Sequence, residues 1–433
     1  MLERILVGVG AVLPISLFLC GLYFFWRCGV ALCRHPKRVL RAVLLQDQAG
    51  TSPWRALSVA LAGTLGVGNI AGVATAISFG GAGAVFWMLV AAFFAMPIKY
   101  AEIVLAQSTA RRDAALCLHG GATYYIRKAF GGGTGRVLAV VFALLLLFST
   151  FTLGTMLQAA AATQALAAAF SWPPLLVGGV MALLAAVVLW RGREWLLRVC
   201  GVLVPLLCAV FVLLCIAVLT VRRALIGEAL RAILTGAFSL KSGLGGLFGT
   251  AVRYGVSRGL VSNEAGCGTA PIAHAAAEAS SPAAQGLFGV VEVFVDTVLL
   301  CTLTALVILV SGVPLCDEGG MHLALAAFGA VLGEPARAIL ALSCLLFAFA
   351  TVLCWSHYGV EALGYLTNGV GRRAPALLLL GVALATLWGA VAAPRTVWAL
   401  TDLALGAMTL LNLAALLLSH GTVLAETKRF CAE

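Results

Sequence analysis

Two short stretches of this chain set amides, glycines and a carboxylate in otherwise apolar surroundings. In AGTLGVGNIAGVATA, Ala62 to Ala76, Asn69 stands among Gly63, Gly66, Gly68 and Gly72. In RGLVSNEAGCGTAPIAHA, Arg258 to Ala275, Ser262, Asn263 and Glu264 precede Gly266 and Gly268, and Pro271 follows. A glycine in a helix interior costs roughly 0.5–1 kcal/mol, and a polar group without a partner is penalised in apolar surroundings. Neither stretch therefore favours an unbroken helix. Freed carbonyls, freed N–H groups and half-helix ends suit the recognition of small ions and zwitterions. The plainer alternatives are close helix packing through small residues for the first stretch and a re-entrant or surface loop for the second.

The elements that must hold these stretches are membrane helices. The chain has 433 residues, 62% of them hydrophobic and only 10% charged, against about 25% charged in soluble domains. Apolar runs of eighteen or more residues recur throughout, which marks an all-α polytopic membrane protein in a lipid bilayer. Irregular backbone at membrane depth is tolerated only where protein buries it or where it lines a cavity. The formal charge of +11 falls mostly on loops, where it sets topology and does not imply nucleic acid. Thirteen cysteines, mostly inside apolar segments, show no spacing of a zinc site or a disulfide framework. Ile5 to Trp26 is too long for a signal-peptide core and reads as a retained helix.

About eleven transmembrane helices are expected: Arg4–Trp26, Trp54–Phe79 with the first break, Ala84–Gln107, Val137–Phe170, Leu175–Trp190, Trp195–Val221, the Gly243–Ala277 region with the second break, Ala284–Val310, Arg337–Leu366, Ala374–Ala392 and Thr396–Ser419. The organisation follows as an N-terminal helix with a basic cytoplasmic loop (1–53), a first five-helix repeat (54–222), an amphipathic connector (223–242), a second five-helix repeat (243–420) and a cytoplasmic tail (421–433). With the first helix set aside, each break falls in the first helix of a run of five. An odd number per half makes an inverted 5+5 repeat with broken helices 1 and 6. Paired interruptions of that kind point to a transporter site. About eighteen Lys and Arg fall on one side and about seven on the other. This places the C-terminus in the cytoplasm and the N-terminus outside, in the cell (plasma or inner) membrane.

Three stretches resemble one family, the alanine/glycine:cation symporters, also called sodium/alanine symporters. They are GVGNIAGVATAISFGGAGAVFWMLVAAFFAMPIKYAE (Gly66 to Glu102), RGLVSNEAGCGTAPIAHAAAEASSPAAQGLFGVVEVFVDTVLLCTLTALVIL (Arg258 to Leu309) and, more weakly, LFAFATVLCWSHYG (Leu346 to Gly359). The resemblance implies a leucine-transporter-type fold and symport of a small neutral amino acid such as alanine or glycine with sodium, by alternating access. No cofactor is implied beyond sodium as the coupling ion. The substrate carboxylate is expected on N–H donors of the half-helix after Asn69, with Thr64, Gly66, Val67, Gly68 and Asn69 as the binding stretch. The ammonium is expected on carbonyls near Asn263, Gly266 and Gly268. Gln158, in GTMLQA, either binds substrate or bonds a neighbouring helix. Trp355 either walls the cavity or simply packs.

The sodium site is expected at Gly66, Asn69 and Thr351. Here the chain departs from the family's usual pattern: FAFAT has Ala350 where a serine is common, and Val67, Cys267, Cys354 and Val360 replace threonine, methionine, glycine and glutamate. A proton-coupled or uncoupled carrier of the same fold is therefore the alternative. Lys99 and Glu102 are expected to pair on one helix face near its cytoplasmic end. Glu292 and Asp296, four apart, are read as exposed near a helix end or as holding a proton or cation between them. An enzyme is not expected, because the HExxH and GxSxG patterns are absent. A sensor would want a signalling domain, and no P-loop is present for ATP drive. The sequence leaves the oligomeric state open.

Overall fold

The computed structural model describes residues 2–44, 53–112, 118–238, 249–275, 277, 279–315, 320–367 and 374–432. The chain opens with α1 (Leu2–Phe24), carried on through a π turn at Phe25–Gly29, then the short α2 (Pro36–Leu44). The first interrupted helix is α3 (Pro53–Thr64), a 3-10 turn at Val67–Asn69, and α4 (Ala71–Gly80). The long α5 (Gly83–Thr109) follows, then a two-residue antiparallel pair, β1 (Arg111–Arg112) with β2 (Leu118–His119). Next come α6 (Ala122–Phe130), α7 (Gly132–Phe170, with a π turn at Thr152–Met156), α8 (Pro174–Trp190), α9 (Arg193–Val221) and α10 (Ile226–Ala237). The second interrupted helix is α11 (Thr250–Asn263) and α12 (Ala270–Ala275). The chain ends with α13 (Pro282–Val310, with a π turn at Phe294–Cys301), α14 (Gly320–Leu332), α15 (Glu334–Leu366), α16 (Ala374–Val391), α17 (Pro394–Leu418) and α18 (His420–Ala432).

Local chemistry explains the boundaries. Pro174, Pro282, Pro335 and Pro394 sit in first turns, where a missing N–H costs nothing. Ser281 caps α13, its hydroxyl accepting from the Ala284 N–H at 3.1 Å.

Seven of the described helices are long and apolar enough to cross a membrane, and the α3/α4 pair, bent by 55°, makes an eighth. The eleven expected spans exceed this count at three places. α8 and α16 have 17 and 18 residues, about 26 Å at 1.5 Å per residue, slightly short of a ~30 Å hydrocarbon core. The second interrupted helix is split into pieces of 14 and 6 residues. The expected connector falls on the 3-10 turn Arg223–Leu225 and on α10, while 239–242 and the expected start of the second repeat, 243–248, lie outside the described residues.

The two interrupted helices meet at the centre. The side chains that surround them come from α5, α7, α13, α15 and α17. Four carboxylates (Glu102, Glu264, Glu292 and Asp296) and Lys99 lie there, each 0–2% exposed.

Candidate functional site

The first break brings three of the expected residues together. A Cβ on Gly66 would sit 2.7 Å from both Gln158 Oε1 and Thr351 Oγ1, so a larger residue there would have to displace the Gln158 amide and the Thr351 hydroxyl. The Val67 N–H donates to Gln158 Oε1 at 3.2 Å, and Gln158 Nε2 donates to the Leu153 carbonyl at 3.1 Å. The Leu153 carbonyl lies in the π turn of α7, where the widened ring leaves a carbonyl free for such a bond. The Thr351 hydroxyl lies 3.0 Å from the Ala62 carbonyl and 3.1 Å from that of Phe347. Thr64 Oγ1 bonds back to the Ala60 carbonyl at 3.3 Å. Gly68 lies against α11, its would-be Cβ 3.4 Å from Ser262 Cα.

Asn69 turns the other way. Its Nδ2 donates to the Asp296 carbonyl at 2.9 Å and to Asp296 Oδ1 at 2.7 Å, while its own Oδ1 is buried without a hydrogen-bond partner. The opposite carboxylate oxygen, Asp296 Oδ2, accepts from Ser262 Oγ at 2.6 Å and Thr297 Oγ1 at 2.7 Å. Gly66, Asn69 and Thr351 thus fall into two separate clusters: Gly66 with Thr351, and Asn69 with Asp296.

The second break runs from Glu264 to Thr269. Glu264 adopts φ +52°, Gly266 +85° and Gly268 +78°, left-handed conformations that glycine takes without strain. Glu102 accepts from the N–H groups of Gly266 (3.1 Å) and Gly268 (2.8 Å) and from Asn412 Nδ2 (2.6 Å). Lys99 Nζ donates to the Asn263 carbonyl at 2.6 Å and lies 3.0 Å from Glu292 Oε1. Glu292 in turn approaches His274 Nε2 at 3.3 Å. Glu264 is held by Thr269 Oγ1 (2.7 Å) and by the indole N–H of Trp355 (3.1 Å).

These partners correct several expectations. Lys99 and Glu102 do not pair with each other near a helix end; both are fully buried and each serves the second break separately. Glu292 and Asp296 are not exposed; Glu292 faces Lys99 and His274, and Asp296 faces Asn69, Ser262 and Thr297. The carbonyls of Asn263 and Gly266 are not free, being taken by Lys99 and Asn412. Gly266 and Gly268 face Leu17, Thr409, Leu413, Ala122 and Phe142, so their smallness serves the turn and its packing. Trp355 is fully buried beside Tyr358, with its ring N–H on Glu264. The roles of Lys99, Asp296 and Asn412 were signalled only by a charge or amide inside an apolar helix.

Beside Gly66 and Asn69 lies a void of about 10 Å³, bounded by Leu65, Ile70, Phe211, Leu300 and Phe347, scarcely room for one water. A much larger cavity of about 840 Å³ opens on the α4 and α11 side, with α14 and α17 completing its wall. On that wall Arg258 pairs with Asp402 at 2.7 Å and lies 4.0 Å over the Trp398 ring.

Such a pair of interrupted helices clasped by surrounding helices defines a secondary-transporter class of fold, and comparison with solved structures agrees. The chain resembles MhsT in complex with L-phenylalanine with a TM-score of 0.64 at 15% identity, covering 88% of this chain and 93% of that one. A manganese transporter of Eremococcus coleocola follows at 0.54 and 15%, covering 88% and 81%. These likenesses show the leucine-transporter-type fold. The model of the sodium:alanine symporter family matches residues 2–433, and the chain belongs to that family. It is 39% identical to the sodium/alanine symporter AgcS of Methanococcus maripaludis over 389 residues, 89% of this chain and 85% of that one. It is 35% identical to the putative sodium/proton-dependent alanine carrier protein YrbD of Bacillus subtilis over 400 residues (89% and 82%). It is 30% identical to the probable sodium/glutamine symporter GlnT of the same organism over 415 residues (95% and 86%). The protein is a transporter and not an enzyme.

Proposed function

We propose that the chain couples the inward movement of a cation, sodium, to the uptake of a small neutral amino acid such as alanine or glycine. The observation that carries this reading is Gly66 lodged between Gln158 and Thr351 at the break of the first interrupted helix. In the closed site Gln158 Oε1 occupies the Val67 N–H. A substrate carboxylate would take over that donor and others at the start of α4, aided by the positive end of the half-helix. The ammonium would fall to Glu264 or to the remaining carbonyls of the second break. Thr351 Oγ1 beside the Ala62 carbonyl offers two hard oxygens for sodium.

The architecture behind this reading is eleven spans, with the 5+5 inverted repeat, the domain boundaries, the plasma-membrane location and the orientation given above. Alternating access would then tilt the interrupted helices between a vestibule on one side and the cytoplasm on the other. The tight contact of Gly66 with Gln158 and Thr351 supports a small substrate. The names of relatives range from alanine to glutamine, so size is the discriminating question.

The test is radiolabelled uptake into proteoliposomes, with an inward sodium gradient or with choline in its place. Alanine uptake that follows sodium, with glutamine carried at least tenfold more slowly, is the expected result. Uptake that follows a proton gradient instead would transfer the mechanism to the second reading, which Ala350 favours by removing one hydroxyl from the α15 site. Uptake of neither amino acid under either gradient would overturn both readings.

A further inference from the structure

The large vestibule holds a guanidinium that its carboxylate partner leaves mostly unsatisfied. Arg253 and Arg258, both on α11, line this cavity of about 840 Å³, and Asp402 on α17 is the one carboxylate among its described lining residues. Arg258 takes that carboxylate, Nη2 donating to Asp402 Oδ2 at 2.7 Å. The Arg258 side chain is only 6% exposed, and its Nε and Nη1 are buried without a hydrogen-bond partner.

A guanidinium presents five N–H donors in a fixed fork, and its strong pairings with carboxylates use two parallel bonds. The bond from Arg258 to Asp402 is a single one. Trp398 lies 4.0 Å away against the guanidinium face, and an indole ring has no oxygen or nitrogen that accepts a hydrogen bond. A charged donor left buried without an acceptor is costly, so the fork is short of acceptors.

The lining indicates what would supply them. A zwitterion brings an ammonium together with its carboxylate. The described carboxylate of the vestibule is already engaged by Arg258, and Arg253 adds a second positive charge to the same wall. An ammonium there meets repulsion and no free carboxylate among the described lining residues, whereas a plain anion meets two guanidinium groups.

We infer that Arg258 is the core of an anion site in the vestibule, one that takes a small monovalent anion, with chloride as its simplest probe. The anion and Asp402 compete for one guanidinium. An anion seated on Arg258 releases Asp402, loosens the tie between α11 and α17 and favours the open vestibule, because it binds that form better than the closed one. Closure returns Asp402 to Arg258 and expels the anion. The site goes beyond the symport reading above and is independent of which cation drives transport.

The test uses full-length transporter in detergent carrying Val261→Cys, a position in the vestibule wall that is 5% exposed in the closed form. Its modification by a neutral maleimide–polyethylene glycol is read by peptide mass spectrometry. N-methylglucamine is the sole cation, and gluconate, a bulky anion, is replaced stepwise by chloride. Chloride is expected to speed modification saturably and at least threefold. Arg258→Gln is expected to abolish that dependence. Asp402→Asn removes the competitor and is expected to lower the chloride concentration for half-maximal effect at least threefold; it decides the matter if Arg258→Gln fails to fold by size-exclusion chromatography. Acetate is expected to act as chloride does, and alanine at the same concentration is not. Equal modification in chloride and gluconate would overturn the inference. So would a chloride effect that survives Arg258→Gln, or one whose midpoint Asp402→Asn leaves in place. Alanine acting where chloride and acetate do not would give the site to a zwitterion and overturn it as well.

Discussion

Lys99 and Glu102, three residues apart on α5, clasp opposite ends of the second break. The ammonium holds the carbonyl of Asn263, the last residue of α11, and the carboxylate holds the N–H groups of Gly266 and Gly268 ahead of α12. The signs match the helix dipoles, with a cation at a C-terminal end and an anion near an N-terminal one. Asn412 adds α17 to the clasp, bonding both Glu102 and the Gly266 carbonyl, and Tyr125 OH donates to Asn412 Oδ1 at 2.6 Å.

Removing Lys99 should therefore be costly. Lys99→Gln leaves Glu292 without its ion pair at full burial, a loss of about 3–5 kcal/mol where a buried pair is broken from one side. A lower melting temperature in detergent is the expected readout. The Lys99→Gln, Glu292→Gln double variant should recover part of it; a double variant less stable than the sum of the singles would refute the pairing.

Gly66 and Gly72 make a controlled comparison. A Cβ at Gly66 collides with Gln158 and Thr351, whereas one at Gly72 meets nothing within 4 Å. Gly66→Ala is expected to lower alanine binding at least tenfold. Gly72→Ala should leave uptake near wild type and stabilise α4 by roughly 0.5–1 kcal/mol through helix propensity. Isothermal titration and thermal melts of both variants check this, and equal effects at the two positions would contradict it.

The α15 site predicts a gain as well as a loss. Thr351→Ala removes the hydroxyl beside the Ala62 carbonyl and should raise the sodium concentration for half-maximal uptake at least threefold. Ala350→Ser adds an oxygen donor at the neighbouring buried position and should lower it. Sodium titrations of uptake at fixed alanine separate the two directions.

Arg258 and Asp402 tie α11 to α17 at the vestibule, with the guanidinium also stacked on Trp398. Asp402→Asn weakens that tie while keeping its shape. A cysteine placed at Val261, which lines the vestibule and is 5% exposed, should react several-fold faster with a membrane-impermeant thiol reagent in the Asp402→Asn background. Peptide mass spectrometry distinguishes this cysteine from the native ones. Unchanged labelling would mean that the ion pair does not guard the vestibule.

Both breaks were legible in the sequence because glycines, a proline and amides inside apolar runs contradict helix propensity locally. The long apolar helices were legible for the converse reason. The partners of the buried charges were not. Spacing along α5 places Lys99 and Glu102 on one face, but it says nothing of which helix packs there, and that packing sends each side chain to the second break. Asp296 and Asn69 are 227 residues apart in sequence, a contact that no local pattern encodes. Gly266 and Gly268 are expected from the sequence near the substrate ammonium, whereas the structure shows their positive φ and their packing against α1, α6, α7 and α17. The short helices α2, α6 and α14 lie outside the expected spans; α2 and α6 are amphipathic and α14 is apolar, and each is too brief to span a membrane.

The clasp on the second break has a mechanical consequence. Successive residues in α5 rise ~1.5 Å, so Lys99 and Glu102 are set about 4.5 Å apart along a stiff rod. Both leaves of the second hinge are thereby pinned to one frame. To swing α12 against α11, the molecule must surrender charge-assisted bonds between fully buried groups. The first hinge is fastened more lightly on its Gln158 and Thr351 side, through the neutral bonds Val67 to Gln158 and Thr351 to Ala62. The first interrupted helix is thus held by neutral bonds at Gly66 and by the Asp296 carboxylate at Asn69, whereas the second is pinned by charge at both ends of its break.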